Sequence, residues 1–456
     1  MNWRGHNHSG KHILMIYPRR NGACTANDAV FPFPFLGLPQ VAALIPPSYR
    51  VTIADERISP VTGREKADLV FISCLTHTAY RGYALADLFT KQGIPVVMGG
   101  IHVSVLPDEA AAYATAVVIG EAESLIHQIL ADFEKGELSA SYRGERIADL
   151  DEIPIPDTAR LTRRHRFYLS AIQTSRGCPQ DCDFCAVPTI SGRAIRVKSL
   201  ATVDKELRAL RQLRSRALFI VDDNFLIKKE RCLAIMALIK KYGFRWMGFS
   251  NLSVSEDDAF LASLKDSGCM SLFIGFESLG ANTGLTKNRR FSGREAMSRA
   301  ISKIHAHGIG IQGSFIFGFD SDTKDVFKET VSFIQENGIE LPNMCIYTPF
   351  PGTPLYDAME RDHRLLHKDW SQYDMNHAVF QPKHMTPREL QQGYAWALKY
   401  LSSPTSILSR LKQRGGPYLH FLIANFSLHF SQTRLARAMW NPAVHRDFKE
   451  RLSCPR

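Results

Sequence analysis

Three of the nine cysteines in this 456-residue chain fall within eight positions: Cys178, Cys182 and Cys185, in RGCPQDCDFC (176–185). Two thiols suffice for a disulfide, and a closed structural zinc site takes four ligands. Three, spaced C-x-x-x-C-x-x-C with no fourth nearby, leave a metal centre one ligand short. Soft thiolates suit zinc or an iron–sulfur cluster. On a cubane, three thiolates leave one iron without a protein ligand, free to chelate a substrate or cofactor. A zinc loop completed by a distant histidine, or three ordinary core cysteines, would also account for the count. Spacing and placement favour the cluster, with Cys178, Cys182 and Cys185 as its ligands and Gly177 supplying the flexibility to wrap around it.

The surrounding elements say where such a centre would sit. Strands are expected at 169–174, 217–222, 245–250, 271–276, 310–317 and 343–348, separated by helical patterns. One helix carries Leu200, Val203, Leu207, Leu210 and Leu213 at helical spacing, another Met297, Ile301 and Ile304. Four helices run into Gly243, Gly268, Gly308 and Gly338, the residue type suited to a left-handed stop. Six βα units in series imply a partial barrel, in which chemistry gathers at the carboxyl ends of the strands. The three-cysteine loop follows the first strand, at that end.

Upstream, short apolar runs at 12–18, 51–56, 67–75, 95–100 and 115–121 alternate with helical segments. That pattern implies a doubly wound parallel sheet with a ligand crevice beyond its strand ends. The expected organisation is α/β: a sheet domain over 1–135, a polar linker over 136–160, a partial (β/α)6 barrel over 161–358 and a helical cap over 359–456.

A formal charge of +11 invites a nucleic-acid reading. Residues 403–456 hold nine Lys and Arg against Asp447 and Glu450, so +7 of that charge belongs to the C-terminal tail. A solvated basic helical face explains it better than a nucleic-acid groove, and no nucleic-acid partner is expected. No apolar run is long enough for an export signal or a membrane span. A cytoplasmic setting follows, where cysteines serve metal or redox chemistry more often than disulfides. The stretch GPYLHFLIANFSLHFSQTRLARAMW reads as core packing or a cover over the barrel mouth, with peripheral membrane contact as the less favoured alternative.

The cysteine loop resembles the signature of radical S-adenosylmethionine (SAM) enzymes, with an aromatic residue, Phe184, before the last cysteine. QTSRGCPQDCDFC, FIVDDNF, FIGFES, GSFIFGFD and TPFPGTPLY occur in the order seen in the cobalamin-binding radical SAM family. VVMGGIHVSVLPDEA with VVIGEAE resembles its N-terminal cobalamin domain, and methylases of bacteriochlorophyll and hopanoid pathways are the nearest in kind. The resemblance implies a [4Fe-4S] cluster whose open iron binds the amino and carboxylate groups of SAM. One electron then cleaves a carbon–sulfur bond, giving methionine and a 5′-deoxyadenosyl radical. Phe184, Asp222, Asp223, Glu277, Ser278, Gly313 and Gly318 become the candidate cofactor contacts. Glu277, ending an apolar strand with Ser278 beside it, can accept two hydrogen bonds from ribose hydroxyls. Asp222 and Asp223 stand where other members carry a glycine-rich segment against the cofactor's amino group; capping of the next helix is their other reading. Gly313 and Gly318 would let backbone approach the adenine.

Cobalamin domains of this kind commonly carry D-x-H-x-x-G, then S-x-L, then a glycine pair. Ser73 and Leu75 match the second and Gly99 and Gly100 the third, as contacts to the nucleotide tail. The histidine motif is missing from PRRNGACTANDAV (18–30), so the resemblance implies base-off cobalamin without a histidine ligand. His102 has the wrong spacing for that ligand and reads as packing or a hydrogen bond. Cys24 and Cys74 read as ordinary thiols, and HNHSGKH as a tail with adventitious metal affinity at most.

The expected activity is C-methylation of an unactivated carbon, on a small molecule, lipid or natural product. The deoxyadenosyl radical would abstract hydrogen, the substrate radical would take methyl from cobalt, and a second SAM would restore it. A donor such as flavodoxin or ferredoxin would supply the electron. A cyclase or rearrangement enzyme of the same fold is the first rival. A tRNA methylthiotransferase would carry three further cysteines upstream, whereas only Cys24 and Cys74 precede the loop. A non-catalytic iron–sulfur protein leaves Glu277 and the N-terminal crevice without purpose.

Overall fold

HILMIY, the first strand β1 (His12–Tyr17), is an almost unbroken apolar run, the pattern of a strand covered on both faces. Its alternate residues go to two cores. Ile13 and Met15 join Ile53, Phe71 and Ile129 on one side, while Leu14 and Ile16 join Val70, Phe89 and Met98 on the other. The computed structural model describes residues 10–20, 35–161, 169–213, 216–280, 291, 293–412 and 419–439. With β2 (Arg50–Asp55), β3 (Leu69–Ser73), β4 (Val96–Gly99), β5 (Ala116–Gly120) and β6 (Ser141–Gly144), β1 forms a parallel sheet ordered β2-β1-β3-β4-β5-β6. The order reverses between β1 and β3, which opens a ligand crevice beyond their carboxyl ends.

β6 comes from the segment expected to be a linker (136–160). It pairs parallel to β5 from Val117↔Ser141 to Gly120↔Gly144. Only Tyr142 of its four residues is buried, so a short edge strand reads as polar chain in sequence.

The second sheet is also parallel and six-stranded. It runs β7 (Ser170–Ile172), β10 (Ala217–Ile220), β11 (Arg245–Ser250), β12 (Cys269–Glu277), β13 (Gly310–Phe317) and β14 (Leu341–Ile346), each strand beside the next. β7 and β14 are its two edges, so the barrel is partial. Leu218, Trp246, Leu272, Ile311 and Met344 point outward into one core with the surrounding helices. Gly243, Gly268, Gly308 and Gly338 all take positive φ at the ends of their helices. Leu200 departs from the expected apolar stripe: it starts helix Leu200–Arg211 just after its cap, Ser199, and is exposed.

Among the described residues, the C-terminal helices pack away from the barrel mouth. Helix Pro387–Leu401 covers the edge strand β14, with the Tyr394 hydroxyl donating to Met344 O at 3.3 Å. Edge strands left open invite foreign pairing, and a helix laid along one removes that liability. Helix Leu419–Met439 reaches the opposite end of the barrel, where Phe421 packs on Gly310 at the start of β13 and Asn425 donates to Glu340 O at 2.9 Å. Among the described residues no helix is long and apolar enough to cross a membrane.

A Cβ on Gly310 would lie 2.3 Å from the Phe421 ring. Gly310→Ala should therefore loosen helix Leu419–Met439 at a cost of about 1–3 kcal/mol, read as faster proteolysis within that helix. Unchanged proteolysis would mean that the Phe421 contact does not dock it.

Candidate active site

The chain turns from β7 into a ribbon of two short antiparallel strands, β8 (Ser175–Arg176) and β9 (Arg196–Val197), and the cysteine loop hangs from it. Gly177 has φ +98°, and a Cβ there would sit 2.3 Å from Ala194 O. Its role is close approach of two backbones, not the flexibility expected from sequence. Cys178 N donates to Gly192 O at 3.2 Å and Cys185 N to Cys182 O at 3.2 Å, which folds the loop on itself. Tyr347, just past β14, donates to Asp183 Oδ2 at 2.8 Å and meets the Phe184 ring edge-on at 6.0 Å. Leu355 N, in the TPFPGTPLY segment, donates to Asp183 O at 3.0 Å. The Asn224 amide lies 4.0 Å from Cys178 Sγ, a hydrogen bond to sulfur.

Burial, and then the charges of Cys185, Glu277 and Cys178, push the Cys182 thiol up to about 12. Burial also raises Cys185, with Cys178, Asp223 and Glu277 adding to it. Thiolates are disfavoured here until a cation joins them, and a bound metal centre supplies that charge. Among the described residues no three His, Cys, Asp or Glu side chains converge on one point as ligands of a single ion would. A cubane does not ask for convergence, since each thiolate binds its own iron. The three-thiol loop therefore suits a cluster better than zinc.

Glu277 ends β12 in a left-handed backbone conformation, φ 59°, at a register shift against β13. Such strain in a non-glycine residue costs on the order of 1–3 kcal/mol and persists where surroundings or function demand it. Its carboxylate folds back over Gly275, where a Cβ would lie 2.3 Å from Oε1. Oε2 is buried without a hydrogen-bond partner, and burial raises the carboxyl to about 7. A buried acceptor that the protein leaves unmet suits a ligand that brings hydroxyl donors. Ser278 is buried beside it, its hydroxyl accepting from Gly280 N at 3.1 Å.

Other expected contacts turn elsewhere. Asp222 accepts from Thr174 N at 2.5 Å, Thr174 Oγ1 at 2.5 Å and Ser175 Oγ at 2.7 Å. Asp223 accepts from Gly177 N at 2.8 Å. Both carboxylates brace the base of the cysteine loop; both oxygens of Asp222 are engaged there and it caps no helix. Gly313 is small because Phe315, Ile339 and Phe276 fill the space a Cβ would need, whereas Gly318 has φ +103°, a conformation that itself favours glycine. Packing at the first and backbone conformation at the second account for glycine without an approach to adenine.

At the N-terminal crevice a cavity of about 520 Å³ is lined by Ser73, Gly99 and Gly100, together with Val97, Val118 and Gln40. Gly100 has φ +98°, and a Cβ would lie 2.6 Å from Cys74 O. Leu75 is not on the wall: its backbone N–H donates to the Thr78 hydroxyl at 3.0 Å and starts the next turn. His102 is fully buried, its Nε2 3.0 Å from the Tyr83 hydroxyl, and Cys74 is a buried thiol. Cys24, most of PRRNGACTANDAV and most of HNHSGKH lie outside the described residues. Sequence reasoning missed the far wall: Gln173, Arg176, Ile190, Ser191 and Val221 come from the barrel and its cysteine loop. Both carboxyl-end faces thus open onto one space.

Residues 172–334 match the radical SAM superfamily, and residues 35–130 match the B12 binding domain. The chain thus pairs a B12 binding domain with a radical SAM domain. Among relatives of this radical SAM chain, bacteriochlorophyllide d C-12(1)-methyltransferase of Chlorobaculum tepidum is 29% identical over 95% of this chain and 96% of its own. The hopanoid C-2 methylase of Rhodopseudomonas palustris is 25% identical over 79% of this chain and 72% of its own. The solved radical SAM methyltransferase TsrM from Kitasatospora setae, with cobalamin and a [4Fe-4S] cluster bound, covers 94% of this chain and 99% of its own. Its TM-score is 0.65 at 14% identity, a likeness of fold.

In this radical SAM site the folded value of Glu277, about 7, lies above the ordinary 4.5. Between those values the folded, cofactor-free protein keeps a proton that the unfolded chain has released, so this residue makes stability fall as pH rises. Glu277→Gln should flatten that slope and stabilise the cofactor-free protein at pH 8 by roughly 2–3 kcal/mol, measured by denaturant titration across pH 4.5–8. An unchanged slope would show that the carboxylate is solvated.

Proposed function

We infer that this protein is a cobalamin-dependent radical SAM C-methyltransferase acting on an unactivated carbon of a small molecule. The observation that carries this reading is the shared cavity, walled on one side by Ser73, Gly99 and Gly100 and on the other by Gln173, Arg176 and Ser191 beside the cysteine loop. Sites between two domains can enclose one substrate against two cofactors. When bound, the cluster supplies an electron and a coordination site for SAM, and cobalamin supplies a transferable methyl group.

The chain's own residues do the rest. Cys178, Cys182 and Cys185 hold the cluster and leave one corner for SAM. Glu277 meets donors with its unpaired oxygen, in keeping with ribose hydroxyls. Gly100 lets the end of β4 close tightly onto Cys74 at the edge of the crevice, and Ser73 offers the nucleotide tail a hydroxyl. The absence of histidine from PRRNGACTANDAV supports base-off cobalamin without a histidine ligand.

The inner face of the barrel speaks to the acceptor. Phe219, Phe249 and Phe273 meet edge to face along neighbouring strands, at 5.3 and 5.0 Å between centroids. None of the three belongs to the outer core, and Phe249 and Phe273 are half-buried. An apolar lumen near the radical source suits an apolar acceptor and keeps polar hydrogen donors and water away. A one-electron donor of the flavodoxin or ferredoxin class completes the system. Exposed Leu419, Ile423, Phe426 and Phe430 share one side of helix Leu419–Met439, which supports peripheral membrane contact.

Anaerobic incubation of reduced, cobalamin-loaded protein with SAM and tetrapyrrole, triterpenoid and aromatic acceptors tests the assignment. The expected products are deoxyadenosine, S-adenosylhomocysteine and an acceptor heavier by one methylene. Deoxyadenosine with an acceptor transformed at unchanged carbon count would overturn it in favour of a cyclase or rearrangement enzyme.

A further inference from the structure

Two of the family-like motifs, VVIGEAE and QTSRGC, contain charged residues that the chemistry above does not use. Folding brings them together. Glu121 and Glu123 follow β5 in the cobalamin-binding domain; Arg176 and Arg196 are Cα partners in the ribbon from which the cysteine loop hangs. Arg176 Nη2 donates to Glu123 Oε1 at 2.6 Å, its Nη1 lies 3.5 Å from Glu121 Oε2, and its Nε donates to Gln173 Oε1 at 3.0 Å. Arg196 grips Glu121 with both ends of its fork, Nη2 to Oε1 at 2.6 Å and Nη1 to Oε2 at 2.9 Å. Ile147 N adds a third donor to Glu121, at 2.8 Å. The four side chains are only 8–12% exposed.

Neither half of this network is comfortable alone. Two arginines directly opposite each other in a ribbon repel, as do two neighbouring carboxylates. Burial works against ionising Glu121, and the donors from Arg196 and Ile147, with the charge of Arg176, outweigh it and hold its carboxyl below the ordinary value. A buried pair that loses one partner leaves an uncompensated charge, so the halves are held to each other and to one geometry. Three of the four, Glu121, Glu123 and Arg176, also wall the cobalamin-side cavity, and Gly177 and Cys178 follow Arg176 directly in the chain.

We propose that Arg176 and Arg196 are positioning residues which lock the cysteine loop to Glu121 and Glu123, so that occupancy of the cobalamin cavity and integrity of the cluster loop are energetically coupled. The proposal rests on the cofactor assignment above and adds a linkage between the two sites. Coupling of this kind is reciprocal: whatever tightens cobalamin binding when the cluster is present must equally favour the cluster when cobalamin is bound.

Arg196 does not line the cavity, so a change in cobalamin affinity on altering it must travel through its partners on the wall, the Glu121 carboxylate at 2.6 Å and Ser191 O at 3.0 Å. The test compares anaerobically reconstituted wild-type protein, Arg196→Gln, Arg176→Glu and the charge exchange Arg176→Glu/Glu123→Arg. Hydroxocobalamin affinity is measured by equilibrium dialysis, and the rate at which a ferrous chelator strips iron is measured with and without hydroxocobalamin. In wild-type protein, bound hydroxocobalamin should slow iron loss about threefold or more. In Arg196→Gln the affinity should fall about tenfold and the protection should vanish, with iron content after reconstitution unchanged. The charge exchange should retain more of both than the single change Arg176→Glu, and equal losses in the two would count against the pairing. Trp246→Phe, in the barrel core, should leave both at wild-type values.

Affinity within about twofold of wild type, with protection retained, in Arg196→Gln would overturn the coupling. If that variant does not fold, Arg196→Lys keeps the charge without the fork; reduced affinity and protection support the proposal and wild-type values overturn it. Neither readout depends on turnover, so normal coupling without a methylated product leaves this inference standing while sinking the methyltransferase reading. Wild-type protein that binds no hydroxocobalamin would sink both.

Discussion

The organising constraint is an accumulation of acidic groups. Cys178, Cys182, Cys185 and Glu277 are brought together at the mouth of the partial barrel, half-buried or more, where burial and the charges of their neighbours make ionisation of Cys182 and Cys185 harder, and burial does the same to Glu277. Arg176 and Arg196, in the ribbon that carries the loop, are committed to glutamates of the other domain. A fold that gathers thiols and a carboxylate without balancing them is arranged for a cationic centre to arrive. The backbone reflects the same demand, with strained φ at Glu277 and a glycine-only approach at Gly177.

Everything else positions that mouth. The barrel's outer core fixes the strand ends, and helix Pro387–Leu401 seals the open edge. Asp222 and Asp223 anchor the loop at its base, and Tyr347 and Leu355 hold its middle through Asp183. The parallel sheet of the N-terminal domain presents its own strand ends to the same space. Trp370 donates to the Glu109 carboxylate at 2.9 Å, and Gly352 packs against Val105, so the segment after the barrel also clamps the two domains. TPFPGTPLY is therefore part of the junction between the domains.

Much of this was legible in the chain. β13 was readable because GIQGSFIF is continuous, apolar and bounded by glycine, and the cysteine loop because three thiols in eight positions have few other uses. Ser73, Gly99 and Gly100 were readable because short side chains at strand ends leave room for a ligand. What stayed hidden has physical reasons. Tyr142 is the only buried residue of β6, so no alternation announced the strand. Asp222 sits beside the cysteine loop, yet its partners Thr174 and Ser175 lie more than forty positions upstream. Gly313 answers to the Phe315 and Phe276 rings and Gly318 to its left-handed backbone, neither of which spacing along one strand reveals. Glu121, Glu123, Arg176 and Arg196 look like surface charges until two domains close on them.

The most direct measurement is the electron paramagnetic resonance spectrum of anaerobically reconstituted, dithionite-reduced protein, with and without SAM, for the native chain and for the chain with Cys178, Cys182 and Cys185 all changed to alanine. The native chain should give a reduced-cubane signal whose g values shift when SAM is added, and the substituted chain should give none. A native chain without that signal, a signal indifferent to SAM, or one that survives loss of all three thiols would contradict the account.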